Sequence, residues 1–250
     1  MELVAVAAWS FLVALGGGLV GLVLGNMRLP VVLLAASSPA AGAGANIAIS
    51  GVAAATASVT HLRAGRVNWR LFGWMAPPSI AGALAGGYLS GVLDPDVLLL
   101  VIAGVLVYSG LDLLRWSPPD ARLTGEPEAK LDVRAAVLSG AVIGLLGGVV
   151  GLILGSLRMP ALLKWVGETP HRAVGTNLAV GVCVAIAGVV GHLPSEPPDG
   201  DVLAAGAVAS IPGAMLGARL TGRLSPRQLV RAIGTILLVA GAAIAVQAAT

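Results

Sequence analysis

Residues 17–30 read GGLVGLVLGNMRLP and residues 147–160 read GGVVGLILGSLRMP. Nine of the fourteen positions are identical, and each stretch sets an arginine, Arg28 or Arg158, two residues before a proline. Both arginines interrupt long apolar runs, where a charge is costly. Two readings of them are open. Each guanidinium either snorkels to a headgroup or caps the carbonyls of a broken helix, or it faces a cavity and binds an anion.

Further polar residues follow at matching places. AGANIAI (43–49) and VGTNLAV (174–180) each come shortly after a proline, Pro39 or Pro170, and read as the starts of uncharged helices. A helix start offers unpaired N–H groups and a positive dipole end, which suit an oxyanion. Gly44 and Gly175 are the backbone positions of that candidate site, and Asn46, Asn177 and Thr176 can add side-chain hydrogen bonds. The competing reading is helix capping or hydrogen bonding between helices. His61 and His192 close the same helix in the two copies, as interfacial residues or as proton carriers.

Other chemistries find little support. No span carries paired carboxylates, an HExxH or a nucleophile elbow, so no enzyme activity, metal centre or cofactor is expected. Gly16–Gly21 fits GxGxxG formally, but no strand precedes it and no acid follows at the required distance. Cys183 is the one cysteine, which argues against a disulfide framework or CxxC redox chemistry.

The elements that must position these residues are set by composition. Of 250 residues, 57% are hydrophobic and 11% charged, with a mean hydropathy of +0.93; a soluble domain carries about 25% charged residues. The uncharged runs 3–27, 29–60, 71–93, 135–157, 173–191 and 232–250 approach or exceed the roughly 20 residues of a spanning helix. Thirty-five glycines suit close helix packing in lipid. Four-residue glycine spacings recur at Gly17/Gly21/Gly25, Gly147/Gly151/Gly155, Gly82/Gly86 and Gly213/Gly217. Glu2 and the lack of a basic n-region predict a retained first segment and not a cleaved signal peptide.

The repeat covers nearly the whole chain. At an offset of 130, then 131, Asn46, His61, Gly82, Gly86 and Pro95 match Asn177, His192, Gly213, Gly217 and Pro226. The expected organisation is a first membrane repeat (1–115), a polar cytoplasmic linker (116–133) and a second membrane repeat (134–250). Basic loops stay cytoplasmic. If each half crosses an odd number of times, loops 62–70, 115–134 and 219–231 share one face. They carry eleven Lys and Arg against none in 94–96 and 192–201. An even number of crossings gives no such bias. The fold expected is therefore an all-α polytopic membrane protein with two inverted-topology repeats and both termini outside. Residues 3–60 are too long for one crossing, so each half needs a broken or re-entrant helix, with breaks predicted at Arg28-Leu29-Pro30 and Ser37-Ser38-Pro39. Trp69, Trp74, Trp116 and Trp165 read as interfacial anchors.

Taken together, these residues resemble the TauE/SafE family of sulfite and organosulfonate exporters. The second half carries the pattern most fully, as Gly151-Leu-Ile-Leu-Gly155-Ser-Leu-Arg158-Met-Pro160 and Ala173-Val-Gly175-Thr176-Asn177. His61-Leu-Arg63-Ala-Gly65-Arg66-Val67-Asn68-Trp69-Arg70 resembles the family's basic loop. Ala45 stands where the first copy of the pattern would have the threonine that Thr176 retains. The resemblance implies a secondary transporter in the cell (inner) membrane that exports a small sulfur-containing anion, sulfite or an organosulfonate, at a site between the repeats. Its partners would be the lipid bilayer and that anion, with a homo-oligomer left open and no nucleic acid. The alternatives are a carrier or channel for another small anion, or a membrane scaffold or sensor subunit.

Overall fold

The computed structural model describes residues 1–89, 95–119, 131–150, 153–192 and 197–249. Among them every regular element is helical. The first half holds α1 (Glu2–Val20), α2 (Gly25–Ala35), α3 (Pro39–Arg63), α4 (Trp69–Tyr88) and α5 (Pro95–Arg115). The second holds α6 (Val133–Val150), α7 (Gly155–Pro160, running on as the π-helical stretch Ala161–Val166), α8 (Pro170–His192), α9 (Gly200–Thr221) and α10 (Pro226–Ala249). Six described helices, α1, α3, α5, α8, α9 and α10, are long and apolar enough to cross a membrane; α2 and α6 are shorter apolar helices. The protein is thus all-α and polytopic, as composition predicted.

Local sequence sets the helix starts. Pro39, Pro170 and Pro226 each open a helix, where a missing N–H costs nothing. Ser38, Asn68 and Asp199 cap α3, α4 and α9 by accepting from Ala41, Leu71 and Val202 N–H at 3.1, 3.1 and 3.3 Å.

One predicted break moves. The chain does not break at Arg28-Leu29-Pro30, because Pro30 lies inside α2. The break falls at 21–24, where Gly21 takes the left-handed conformation (φ 74°) and donates its N–H to Gly17 O at 2.8 Å. Only glycine adopts that conformation cheaply. Gly17, Gly21 and Gly25 therefore form a helix end and a new start, not the packing ridge their spacing suggested. The second break, before Pro39, stands where expected.

The two halves interleave, and apart from the broken elements α2 and α7 each helix takes its main partner from the other half. α1 lies against α9, α4 against α6, α3 against α8 and α5 against α10. Gly213 and Gly217 sit on the backbone of Phe11–Leu19, and Gly82 and Gly86 on that of Ala141–Val149. Residue numbers rise together in both pairings, so these helices are parallel. In the α3–α8 pair Ile47 packs on Gly188, Ala185 on Gly51 and His61 on Gly175. There one number rises as the other falls, so the repeat-equivalent helices run antiparallel, an arrangement compatible with the expected inverted repeat.

Contacts along the chain also sort the charges. Lys164 pairs with Asp112, His171 Nε2 lies 3.1 Å from Leu224 O, and Asp132 N donates to Val166 O at 3.0 Å. Lys164 and Arg172 therefore lie at the end of the bundle that carries the 64–68 and 222–225 connections and the start of α6. Trp69 and Trp165, both exposed, lie at the same end. Among the described residues this leaves Arg28 and Arg158 as the basic side chains buried in the middle.

The glycine contacts generate a test. A Cβ at Gly217 would overlap Leu15 O, whereas one at Gly104 meets nothing. Gly217→Ala should lower stability by about 1–3 kcal/mol, read as a lower unfolding temperature in detergent, and Gly104→Ala should leave it unchanged.

Candidate functional site

The centre of the molecule is built from the two broken elements and the two helices that face them. After Gly21 the chain leaves the helix through buried Leu22, Val23 and Leu24 and re-enters one at Gly25. Neither α2 nor α7 has a side-chain cap at its first turn. Both starts lie beside α3 and α8, where Asn46 and Asn177 reach them. Asn46 Nδ2 donates to Gly25 O at 3.0 Å, and Asn177 Nδ2 donates to Gly155 O at 2.8 Å and to Gly21 O at 2.7 Å. Asn177 thus ties its own half's broken element to that of the other half.

The predicted helix starts at 43–49 and 174–180 are corrected by this geometry. Those stretches lie inside α3 and α8, which begin at Pro39 and Pro170. The helix N-termini near the centre are those of α2 and α7, a few residues before the arginines. Their positive ends and the guanidinium charges therefore fall together.

Arg28 is 1% exposed. Its Nε donates to Asn46 Oδ1 at 3.0 Å, Nη2 to Asn46 O at 3.4 Å and to Ser50 Oγ, and Nη1 to Ser210 Oγ at 3.5 Å. Every acceptor is neutral. A cavity of about 20 Å³ lies against Arg28 and Ser50, walled by Leu22, Val23, Leu24 and Leu178. It has room for about one water.

Arg158 is as deeply placed, at 2% exposure, yet its Nε has no hydrogen-bond partner. Asn177 Oδ1 and Ser79 Oγ are also buried and unpartnered. These three are the repeat equivalents of Arg28, Asn46 and Ser210, which form one network around Arg28. The sequence explains part of the difference, because the equivalent of Ser50 is Gly181. Arg158 Nη2 approaches Gly155 and Gly181, where a side-chain acceptor is missing.

The other predicted residues lie toward the ends. Thr176 Oγ1 accepts from Asn68 N at 2.9 Å, and Gly175 lies under Arg66 O. Gly44 packs on Pro198 at the opposite end. His61 is fully buried, with Nε2 3.1 Å from Gly18 O. His192 ends α8, and its side chain lies outside the described residues. Among the described residues no cluster of His, Cys, Asp and Glu could hold a metal ion.

Two residues that carry structure at the ends were missed. Glu168, 3% exposed, accepts from Asn68 Nδ2 and from Thr169 N–H at 2.8 Å. At the other end Asp199 accepts from Ser37 N–H at 3.1 Å. Asn68 and Asp199 are repeat equivalents, as are Glu168 and Ser37. Each end is therefore closed by a cap residue tied to the connection before α8 or α3, with the acid on opposite partners. That exchange of acid between partners hid the symmetry from a residue-by-residue match.

A helical bundle with broken elements meeting at two buried cations has the build of a multi-pass membrane transporter. A sequence profile described as Sulfite exporter TauE/SafE matches residues 6–244, and the chain belongs to that family. It is 24% identical over 238 residues to "Probable membrane transporter protein y4hK" of Sinorhizobium fredii (strain NBRC 101917 / NGR234), covering 95% of each chain. It is 27% identical over 244 residues to "Probable membrane transporter protein YjnA" of Bacillus subtilis (strain 168), covering 90% of this chain and 94% of that one. No solved structure gives a significant match.

The Asp199 latch has a definite pH signature. N–H groups of Val202 and Ser37 hold its carboxyl below the usual carboxylate range. The stabilisation is therefore fully present above the unfolded value of about 3.9 and is lost as pH falls through the lower folded value. Asp199→Ala should unfold at a lower temperature than the wild type at pH 7, and the gap should close in strong acid.

Proposed function

We propose that the protein exports a small sulfur oxyanion or organosulfonate, such as sulfite, by alternating access at the centre described above. The basic end would face the cytoplasm, since eleven described Lys and Arg residues gather there, and both termini would lie outside. The two halves would form an inverted repeat whose broken helices bind the anion at their junction.

One observation carries this reading: Arg28 and Arg158 are both buried, and neither has a carboxylate partner among the described residues. An uncompensated buried cation costs several kcal/mol, and a membrane interior offers no water to offset it. Pairing with an acid is the direct way to cancel such a charge. A transported anion supplies the missing charge while it is bound, and the positive ends of α2 and α7 add to its stabilisation. Asn46 and Asn177 keep those helix starts in register with α3 and α8. Asn177 and Thr176 stand on one helix turn, so a shift of α8 would be felt at the anion and at the Asn68 contact together.

The closed contacts at both ends suit an occluded state. Release to one side would need Asn68 to part from Glu168 and Thr176, and release to the other Asp199 to part from Ser37. His61 would serve at most as a proton carrier at the basic end.

Flux measurements test the proposal. Proteoliposomes should move sulfite, thiosulfate, taurine or sulfoacetate, and Arg158→Ala or Asn177→Ala should cut that flux at least about tenfold, from loss of a charge-assisted hydrogen bond. Unchanged flux in Asn177→Ala would remove it from the site. Flux of none of these anions would remove the substrate class and favour another anion, or a scaffold role.

A further inference from the structure

The two half-sites are not equivalent, and their difference says what kind of anion the protein takes. In the first half Arg28 Nε donates to Asn46 Oδ1. Ser50 and Ser210 supply further acceptors for that guanidinium. In the second half the matching donor and acceptor are both left over, Arg158 Nε and Asn177 Oδ1. The Asn177 amide cannot simply turn to mend this. Its Nδ2 is held by two carbonyls, Gly21 O at 2.7 Å and Gly155 O at 2.8 Å, so Oδ1 must face away from them. Arg158 Nη2 lies against the same Gly155. The second half thus presents a cationic donor and a neutral acceptor around one glycine, both buried.

An anion with only acceptor oxygens would satisfy the arginine and leave Asn177 Oδ1 desolvated. A buried acceptor left unpaired costs about as much as a hydrogen bond lost outright. From this we infer that the seat in the second half is matched to a sulfur monoanion that also carries an O–H or N–H donor: hydrogensulfite in place of the sulfite dianion, or an amino- or hydroxysulfonate. Arg28 belongs to the frame of the site and not to the seat. This inference rests on the anion-transport reading and adds to it the protonation state and the half that binds.

Selectivity of this kind has a precedent in physical terms. A site built to hydrogen-bond a ligand's O–H or N–H rejects the analogue lacking it, because its own polar group is left unpaired. Cys183, a titratable side chain, also lies on α8 near Arg158. A ligand pair whose charge does not change with pH is therefore the cleaner probe.

Sulfamate and methanesulfonate form that pair: both are monoanions of similar shape, and they differ by an amino donor in place of a methyl group. Calorimetry on the purified wild-type protein should find sulfamate binding on the order of tenfold more tightly. Equal affinities would overturn the inference and leave anion transport standing. Binding of neither anion, with sulfite and taurine also silent, would bring down the transport reading itself.

A second arm uses the repeat. Gly181→Ser gives Arg158 the acceptor that Ser50 gives Arg28, and should weaken sulfamate binding about tenfold relative to Gly181→Ala, which controls for contact with Val23. If the Ser and Ala variants bind sulfamate alike, Arg158 is not the seat.

Discussion

A guanidinium buried in an apolar bundle must be given acceptors, and the centre of this protein is arranged around that requirement twice. Arg28 meets it from within the protein, through the side chains of Asn46, Ser50 and Ser210 and one backbone carbonyl. Those acceptors come from α3 and α9, so satisfying one side chain fixes α2 against both. Arg158 occupies the corresponding place without that set. Breaking α1 at Gly21 is part of the same arrangement. An unbroken α1 would carry Arg28 past the end of the bundle, whereas the non-helical 22–24 stretch turns the chain back and sets Arg28 beside Ser50.

The helix pairings explain how such a centre can be both rigid and movable. Glycines at 82, 86, 213 and 217 bring α4 to α6 and α9 to α1 at backbone contact, and packing at that range resists sliding. Each tight pair contains one helix from each half. The broken elements are held instead by a few side-chain bonds, which can exchange. Rigid-body rearrangement of paired helices around a weaker seam is the form of motion such packing favours.

Much of this was legible in the sequence, and the reasons for the exceptions are physical. The repeat, the glycine pairs and the buried arginines were visible because each is costly unless it serves something, so the residue types alone betray it. Gly21 is ambiguous in the sequence because four-residue spacing looks the same on a continuous helix and across a helix end; only its φ of 74° separates them. Pro30 points to a break because proline disfavours the helix before it, yet α2 carries it as the sixth of its eleven residues, so that preference is overridden there. Glu168 gave no signal, since a single acid in a polar turn is common and its partner Asn68 lies 100 residues away.

The inequality of the halves follows from what a carrier must survive when empty. If both arginines were open, release of the anion would leave two unpaired cations and two orphaned amides in the interior, and the return step would be steeply uphill. With Arg28 closed by Ser50, one half keeps its broken helix in register whether or not a ligand is present. Gly181 leaves the other half short of an acceptor, so under the proposed anion transport that half would gain most when an anion arrives. On that reading, one serine-to-glycine difference between repeats would separate the part that holds the site from the part that binds.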